Sequence, residues 1–146
     1  MKVLGIIPSR YGSSRFPGKP LIDLMGKSMI QRVYQQAKKC TDFTDVIVAT
    51  DDQRIFDHVK SFGGLVMMTS TEHASGTERC GEVIEKYEDY DIIINIQGDE
   101  PLIRPEQLTD LIRVFSSQDV SIGTIVKPLS NGSDIRNPNR IKVVLD

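Results

Sequence analysis

Short apolar runs recur along the chain and are separated by longer, mixed stretches. The runs at residues 3–7, 45–50, 65–68 and 91–97 are continuous rather than alternating, which is typical of strands buried on both faces. The run at 91–97, "DIIINIQ", is the most apolar, and we expect it to be central in its sheet. Two further runs, "SIGTIVK" (121–127) and "IKVVL" (141–145), predict closing strands.

Helical spacing of apolar residues fills the intervals between the strands. Each predicted helix carries a start signal: Ser28 as a cap, Asp51 or Asp52 as a cap, the capping box "SGTE" at 75–78, and Pro105 in a first turn. Gly63 stands at the expected end of the second helix, and the third is expected to run to about Glu88. Strand and helix therefore alternate, which predicts an α/β fold with a mostly parallel, Rossmann-like sheet and helices on both faces.

Polar and glycine-rich loops follow four of the predicted strands. They cover residues 10–19, 50–52, 73–79 and 98–101. The carboxyl ends of parallel strands lie at one edge of a sheet, where ligands of such folds bind. We therefore expect the four loops to form one site.

Composition narrows the class of protein. The 146 residues are enough for one domain, and a net charge of −2 gives no general attraction for nucleic acid or anionic membranes. Cys40 and Cys80 lack metal-ligand spacing, so we expect reduced thiols. The first apolar run is too short for a signal peptide or a membrane span, and we expect a cytoplasmic protein.

The opening loop, "IPSRYGSSRFPGKPL", is suited to a polyphosphate. Gly12 and Gly18 allow close backbone approach, and Arg10, Arg15 and Lys19 place three cations within ten residues. The loop is not a Walker A motif, because Pro20 stands where the magnesium-binding hydroxyl would be. The simpler interpretation is a solvated loop with incidental basic residues.

The loop "NIQGDEP" offers carboxylates opposite those cations. Asp99 follows a buried strand and a glycine, where it could share a Mg²⁺ ion with phosphate oxygens; a polar turn is the alternative. In "TEHASGTER", Ser75 and Gly76 begin a helix whose N–H groups are expected to face the same edge and to meet a ligand there; the alternative is a capping box alone. A lone histidine such as His73 in this loop more often has a structural role, as a hydrogen-bonding group, than a catalytic one.

Four motifs in fixed order, "IPSRYGSSRFPGKPL", "VATDD", "EHASGTER" and "INIQGDEPLI", closely resemble the 3-deoxy-manno-octulosonate (Kdo) cytidylyltransferase family over essentially the whole chain. The resemblance implies a nucleotide-diphospho-sugar transferase (GT-A-like) fold and transfer of CMP from CTP to Kdo, with Mg²⁺, for lipopolysaccharide synthesis. It assigns Arg10, Arg15 and Lys19 to the triphosphate and Asp99 to the metal. Residues implied on the cytidine side are Pro8, Ser75, Gly76, Arg79 and Gln97.

The resemblance also implies a longer, homodimeric protein. Residues 1–146 are expected to be the nucleotide-binding part of a single nucleotidyltransferase domain, without the half that binds the sugar and forms the dimer. On this expectation, the chain alone binds CTP with little or no transfer. The alternatives are a cytidylyltransferase for another acidic sugar, such as a sialic acid, and a non-catalytic CTP-binding module.

Overall fold

Four parallel strands form the sheet in the computed structural model, which describes residues 1–12, 16–117, 119–129, 135–139 and 141–143. They are β1 (Val3–Ser9), β2 (Asp45–Thr50), β3 (Leu65–Met68) and β4 (Ile92–Asn95), in the spatial order β3-β2-β1-β4. The chain moves outward from β1 to β2 and β3, and then crosses to the other side of β1 for β4. The strand order therefore reverses between β1 and β4, and ligands of open α/β sheets bind at such a reversal.

The helices begin where the sequence signals indicate. They are α1 (Met29–Ala37), α2 (Gln53–Ser61), α3 (Gly76–Lys86) and α4 (Pro105–Val114). The side chains of Ser28, Asp52 and Ser75 accept hydrogen bonds from first-turn N–H groups of α1, α2 and α3. Gly63 follows α2 with a φ of 78°, a left-handed conformation that glycine adopts without a steric cost. No helix in the described part of the chain is long and apolar enough to cross a bilayer.

Two apolar layers enclose the sheet. On one face, Val3 and Ile7 of β1 pack with the buried sides of α1, α2 and α4. On the other face, Leu4 and Ile6 pack with Cys80 and Val83 of α3. Because successive side chains of β1 point into opposite layers, the strand must be apolar at nearly every position. Helices on both faces confirm the predicted fold class.

The prediction that 91–97 is a central strand is wrong for the described sheet. β4 pairs only with β1, and β1 and β2 occupy the interior positions. Apolar content measures burial of the two faces, which helices cover at an edge as well as at the centre, so it does not report position in the sheet.

The predicted strand at 121–127 is also absent. Among the described residues of this segment none pairs with another strand, and Ile122 is 90% exposed. The described part of the other closing strand, residues 141–143, is likewise unpaired, and residues 144 and 145 lie outside the described residues. Apolar, β-branched residues favour an extended chain, but a strand also needs an edge with which to form hydrogen bonds.

Candidate functional site

The loops that follow β1 and β4 enclose a cavity of about 260 Å³ at the carboxyl ends of these strands. Its lining residues are Pro8, Ser9, Arg10, Lys19, Pro20, Gln97, Gly98 and Asp99. A second cavity, of about 130 Å³, shares Pro8, Ser9, Arg10 and Gln97 with the first and adds His73, Ser75, Gly76 and Arg79. The structure therefore brings together the candidate residues that it describes, at the edge where the fold predicts a ligand.

Pro8 at the end of β1 is the point where the loops meet. A Cβ atom placed on Gly98 would lie 3.0 Å from the carbonyl oxygen of Pro8, and one on Gly76 would lie 3.1 Å from Pro8 Cγ. The backbones of Gly76 and Gly98 therefore both pack closely against Pro8. This contact fixes the N-terminus of α3 and the Gln97–Asp99 turn against the same strand.

The base of the opening loop is closed by its two ends. The N–H of Gly18 donates to the carbonyl oxygen of Tyr11 at 2.9 Å, and Gly18 has a φ of 73°. The guanidinium of Arg54, on α2, lies 3.3 Å from the centre of the Tyr11 ring, a cation–π contact. These contacts fix the point from which Lys19 enters the cavity, in a short 3₁₀ turn (Lys19–Leu21). Arg15, the third predicted cation of the loop, lies outside the described residues.

Lys19 and Asp99 form an ion pair across the larger cavity. Lys19 Nζ donates to Asp99 Oδ2 at 2.5 Å, and the two side chains are 39% and 51% exposed. The pair joins the opening loop to the turn after β4. Such exposed pairs contribute little to stability, so both groups can exchange this contact for a ligand.

Arg10 is exposed and makes no hydrogen bond or ion pair with the residues that the structure describes. It lines the cavity together with Lys19 and Asp99, so two basic residues and one acidic residue line the same space. The excess positive charge is what a polyphosphate requires.

The acidic residues at this edge fit a metal site that is completed by a phosphorylated ligand, rather than one formed by protein side chains alone. No group of three or more His, Cys, Asp or Glu side chains suited to a metal ion occurs among the described residues. Among the residues that line the 260 Å³ cavity, Asp99 is the one that carries a carboxylate. Mg²⁺ binds well to one or two carboxylates when phosphate oxygens and water complete its octahedron, so the residues fit Mg²⁺ together with a phosphorylated ligand.

Arg79 has a structural environment within the smaller cavity. Its guanidinium is buried and donates to the hydroxyl of Thr69, to the carbonyl oxygen of Ser70 and, at 2.6 Å, to Asp51 Oδ2. It therefore fastens α3 to the ends of β2 and β3. The guanidinium is occupied by these contacts, and Arg79 meets a ligand only along the cavity wall that it lines.

The other groups of the smaller cavity surround the start of α3. The Ser75 hydroxyl caps the helix by accepting from the N–H of Glu78. His73 Nε2 lies 2.7 Å from Glu82 Oε2. The pKa of Glu82 is lowered, chiefly because its carboxylate accepts a hydrogen bond from the N–H of Ser70, and further by His73. The Gln97 amide has only a 3.5 Å contact with Asn95, so it is the polar side chain here best placed to turn toward a ligand.

Sequence reasoning gave Ser9 and Arg54 no role at this edge, and it placed Asp51 in a loop of the expected site without identifying its partner. Ser9 lines both cavities, Asp51 is the partner of Arg79, and Arg54 supports Tyr11. The loop 50–52 is part of the expected site, and Asp51 and Asp52 are the two candidate caps of α2; Asp52 is the residue that caps this helix. Ser9 and Arg54 carry no local signal, because their roles depend on neighbours that are distant in sequence.

A third cavity, of about 330 Å³, lies at the opposite ends of the strands, away from the two cavities of the carboxyl edge, and is a weaker candidate. Two of its polar side chains pair with each other: the Tyr90 hydroxyl donates to Asp45 Oδ2 at 2.5 Å, and this hydrogen bond is the main reason that the pKa of Tyr90 is raised to about 12. Cys40 and Cys80 are free and buried, as expected for thiols of the core. Burial raises the pKa of Cys80 to about 11.

Comparison with known proteins agrees with this geometry. The family model described as "Cytidylyltransferase" matches residues 4–146. The 3-deoxy-manno-octulosonate cytidylyltransferases of Parabacteroides distasonis and Fusobacterium nucleatum are 54% and 51% identical over the entire chain. This chain spans 59% and 60%, respectively, of the length of those two relatives.

A solved structure shares the fold. It is a CMP:2-keto-3-deoxy-manno-octonic acid synthetase complexed with CTP, with a TM-score of 0.78 and 49% identity over 82% of this chain and 48% of that one. The family match includes all the residues that line the 260 Å³ cavity at the carboxyl edge. The chain belongs to the cytidylyltransferase family.

Proposed function

We propose that this chain binds CTP at the carboxyl edge of its sheet, and that the whole protein transfers CMP from CTP to Kdo, giving CMP-Kdo and pyrophosphate. The observation that carries the proposal is the larger of the two cavities at the carboxyl edge, of about 260 Å³, where Arg10, Lys19 and Asp99 converge at the reversal of strand order. The support for CTP is the CTP-complexed synthetase of the same fold. The support for Kdo as acceptor is the name shared by the curated relatives.

The proposed binding mode divides the nucleotide between the two cavities. Arg10 and Lys19 hold the triphosphate in the larger one, where their charge offsets that of the phosphate oxygens. Arg15 is proposed to act with them. The cytidine occupies the smaller cavity, against Pro8, Gly76 and the Gln97 amide, with the start of α3 and its Ser75 cap on one side and Arg79 behind.

The proposed reaction is a direct displacement at the α-phosphorus. The anomeric hydroxyl oxygen of Kdo forms a new bond to that phosphorus and releases its proton to water, the bond from the phosphorus to the bridging β-phosphate oxygen breaks, and pyrophosphate leaves with the electron pair. Asp99 is the residue proposed to hold Mg²⁺, which when bound adds positive charge beside the phosphates. The task of Lys19 and Arg10 is to keep the triphosphate in position and to neutralise the leaving group.

The wider setting belongs to the same proposal. Residues 1–146 form the nucleotide-binding part of a nucleotidyltransferase domain, and the sugar acid is bound by the part of the relatives that the match does not include. The product serves lipopolysaccharide synthesis, the protein works in the cytoplasm as a homodimer, and its ligands are small molecules rather than nucleic acid or membrane.

A binding measurement tests the proposal. Isothermal calorimetry of the 146-residue chain should show CTP binding that is tighter with Mg²⁺ than without it. The variant Asp99→Asn should lose most of the metal dependence while it still binds metal-free CTP. Absence of CTP binding by the wild-type chain would refute the proposed site, and an unchanged metal dependence in the variant would refute the role of Asp99.

A turnover measurement tests the transfer separately. With CTP, Kdo and Mg²⁺, pyrophosphate release is expected from a protein of the relatives' length and little or none from the 146 residues alone. Release at equal rates from both would show that the sugar acid is bound within residues 1–146. Replacing Kdo by a sialic acid should abolish release in the longer protein; faster release would favour the other acidic sugar.

A further inference from the structure

The Ser9 hydroxyl is buried without a hydrogen-bonding partner. Ser9 is 5% exposed, and its Oγ is the only fully buried side-chain oxygen or nitrogen of the described residues that makes no hydrogen bond. A buried polar group without a partner lowers stability, so native proteins rarely keep one without a reason.

The other buried hydroxyls at this side of the sheet do have partners. Thr50, which is opposite Ser9 in the β1–β2 register, accepts from the N–H of Asp52. Thr69 accepts from Arg79, and Ser28 accepts from the N–H of Gln31. The unsatisfied hydroxyl is therefore a property of position 9 and not of the whole edge.

Position 9 is where the two cavities meet. Ser9 lines the larger cavity together with Lys19 and Asp99, and it lines the smaller cavity together with Ser75 and Gly76. A ligand that places phosphates in the first and a nucleoside in the second must pass its connecting atoms, the ribose and the α-phosphate, along the wall to which Ser9 contributes. A hydroxyl can donate to an oxygen of either group, since it carries one donor and two acceptor sites.

We propose that Ser9 is a nucleotide-binding residue whose hydroxyl turns from its buried position, by rotation about χ1, and donates a hydrogen bond to the ribose–α-phosphate segment of bound CTP. The proposal rests on the proposed function of the same edge. The bond satisfies the hydroxyl only in the complex, so the ligand-free chain carries its cost. The contact also holds the nucleotide at the atom next to the reacting phosphorus, which makes it a contact of position as well as of affinity.

The location predicts a specific pattern of affinities. CTP and CMP share the segment that Ser9 contacts, so Ser9→Ala should weaken both by about the same factor, about five-fold for the loss of one hydrogen bond. A residue that binds the outer phosphates would instead affect CTP more than CMP.

Stability gives a second readout, with the opposite sign. Because Ser9→Ala removes an unsatisfied buried group and adds none, the urea midpoint of the ligand-free variant should equal or exceed that of the wild type. Thr44→Val is the matched control at the other end of the sheet. The Thr44 hydroxyl accepts from the N–H of Val3 at 3.1 Å, so its removal should lower the midpoint and leave both affinities unchanged.

Calorimetric titration of CTP and CMP into wild type, Ser9→Ala and Thr44→Val, with urea unfolding of each, decides the matter. Equal weakening of both nucleotides with an undiminished midpoint supports the proposal. Unchanged affinities in a folded Ser9→Ala variant overturn it, and so does weakening of CTP alone. If wild-type chain binds neither nucleotide, the proposed function fails as well, whereas the other two contrary results leave that function intact.

Discussion

Two ion pairs at the carboxyl edge of the sheet look alike in sequence and differ in environment. Arg79–Asp51 and Lys19–Asp99 each join a basic side chain to a carboxylate that follows a strand. The first pair is 3% and 17% exposed, and Arg79 donates to two further oxygens. The second pair is 39% and 51% exposed, and among the described residues each of its two charged groups contacts only the other.

The difference in burial distinguishes a charged side chain that holds the fold together from one that is free to bind a ligand. A buried guanidinium that gives up its partner leaves an uncompensated charge, so the Arg79–Asp51 pair must remain intact. An exposed ammonium exchanges its carboxylate for water or phosphate at little cost. Burial and the number of partners, rather than residue type, decide which basic side chain of a site can bind an anion.

The largest expected effect comes from breaking the buried pair. Arg79→Met should lower the free energy of unfolding by about 3 kcal/mol, because Asp51 is left without its cation and the tie between α3 and β3 is lost. Urea denaturation monitored by circular dichroism measures the change. A loss below about 1 kcal/mol would show that the guanidinium is not the structural tie described here.

Breaking the exposed pair should affect binding instead of stability. Lys19→Met is expected to change the free energy of unfolding by less than about 0.5 kcal/mol. The same variant should weaken CTP by about ten-fold and CMP much less, since the ammonium faces the outer phosphates. Calorimetry with both nucleotides checks this; equal losses for CTP and CMP would place Lys19 away from those phosphates.

The pair His73–Glu82, 20% and 22% exposed, should show an intermediate and pH-dependent effect. The pKa of Glu82 in the folded chain is below the ordinary value of 4.5, so its contribution is complete above that value and is lost as the pH falls through the folded pKa. Glu82→Gln should therefore cost about 1 kcal/mol at pH 7 and less in acid. Urea unfolding of the wild type and of Glu82→Gln, from pH 7 to below the pKa of Glu82, measures this effect. A difference in unfolding free energy that does not shrink on acidification contradicts a stabilising role of the Glu82 carboxylate.

The sequence predicted the strands and helix caps around the site better than the order of the strands and the contacts of individual buried side chains. The four strands, the caps at Ser28 and Ser75, and the meeting of Lys19 with Asp99 follow from local patterns and from the rule for parallel sheets. The position of β4 and the unpaired segment at 121–127 did not follow, because strand order and available edges are properties of the assembled sheet. Ser9 was missed because an unsatisfied hydroxyl is visible only when every neighbour is in place.

The contact of Pro8 with Gly76 and Gly98 bears on which substitutions this edge tolerates. The two glycines differ, because a new methyl group at 98 would press on a backbone oxygen, whereas one at 76 would press on a proline ring carbon that can shift slightly. Position 98 is thus held to glycine by an atom that no compensating side-chain change can remove. Position 76 can accept a small side chain more easily. Among variants of this chain that keep their function, substitutions should therefore be found at position 76 more often than at position 98.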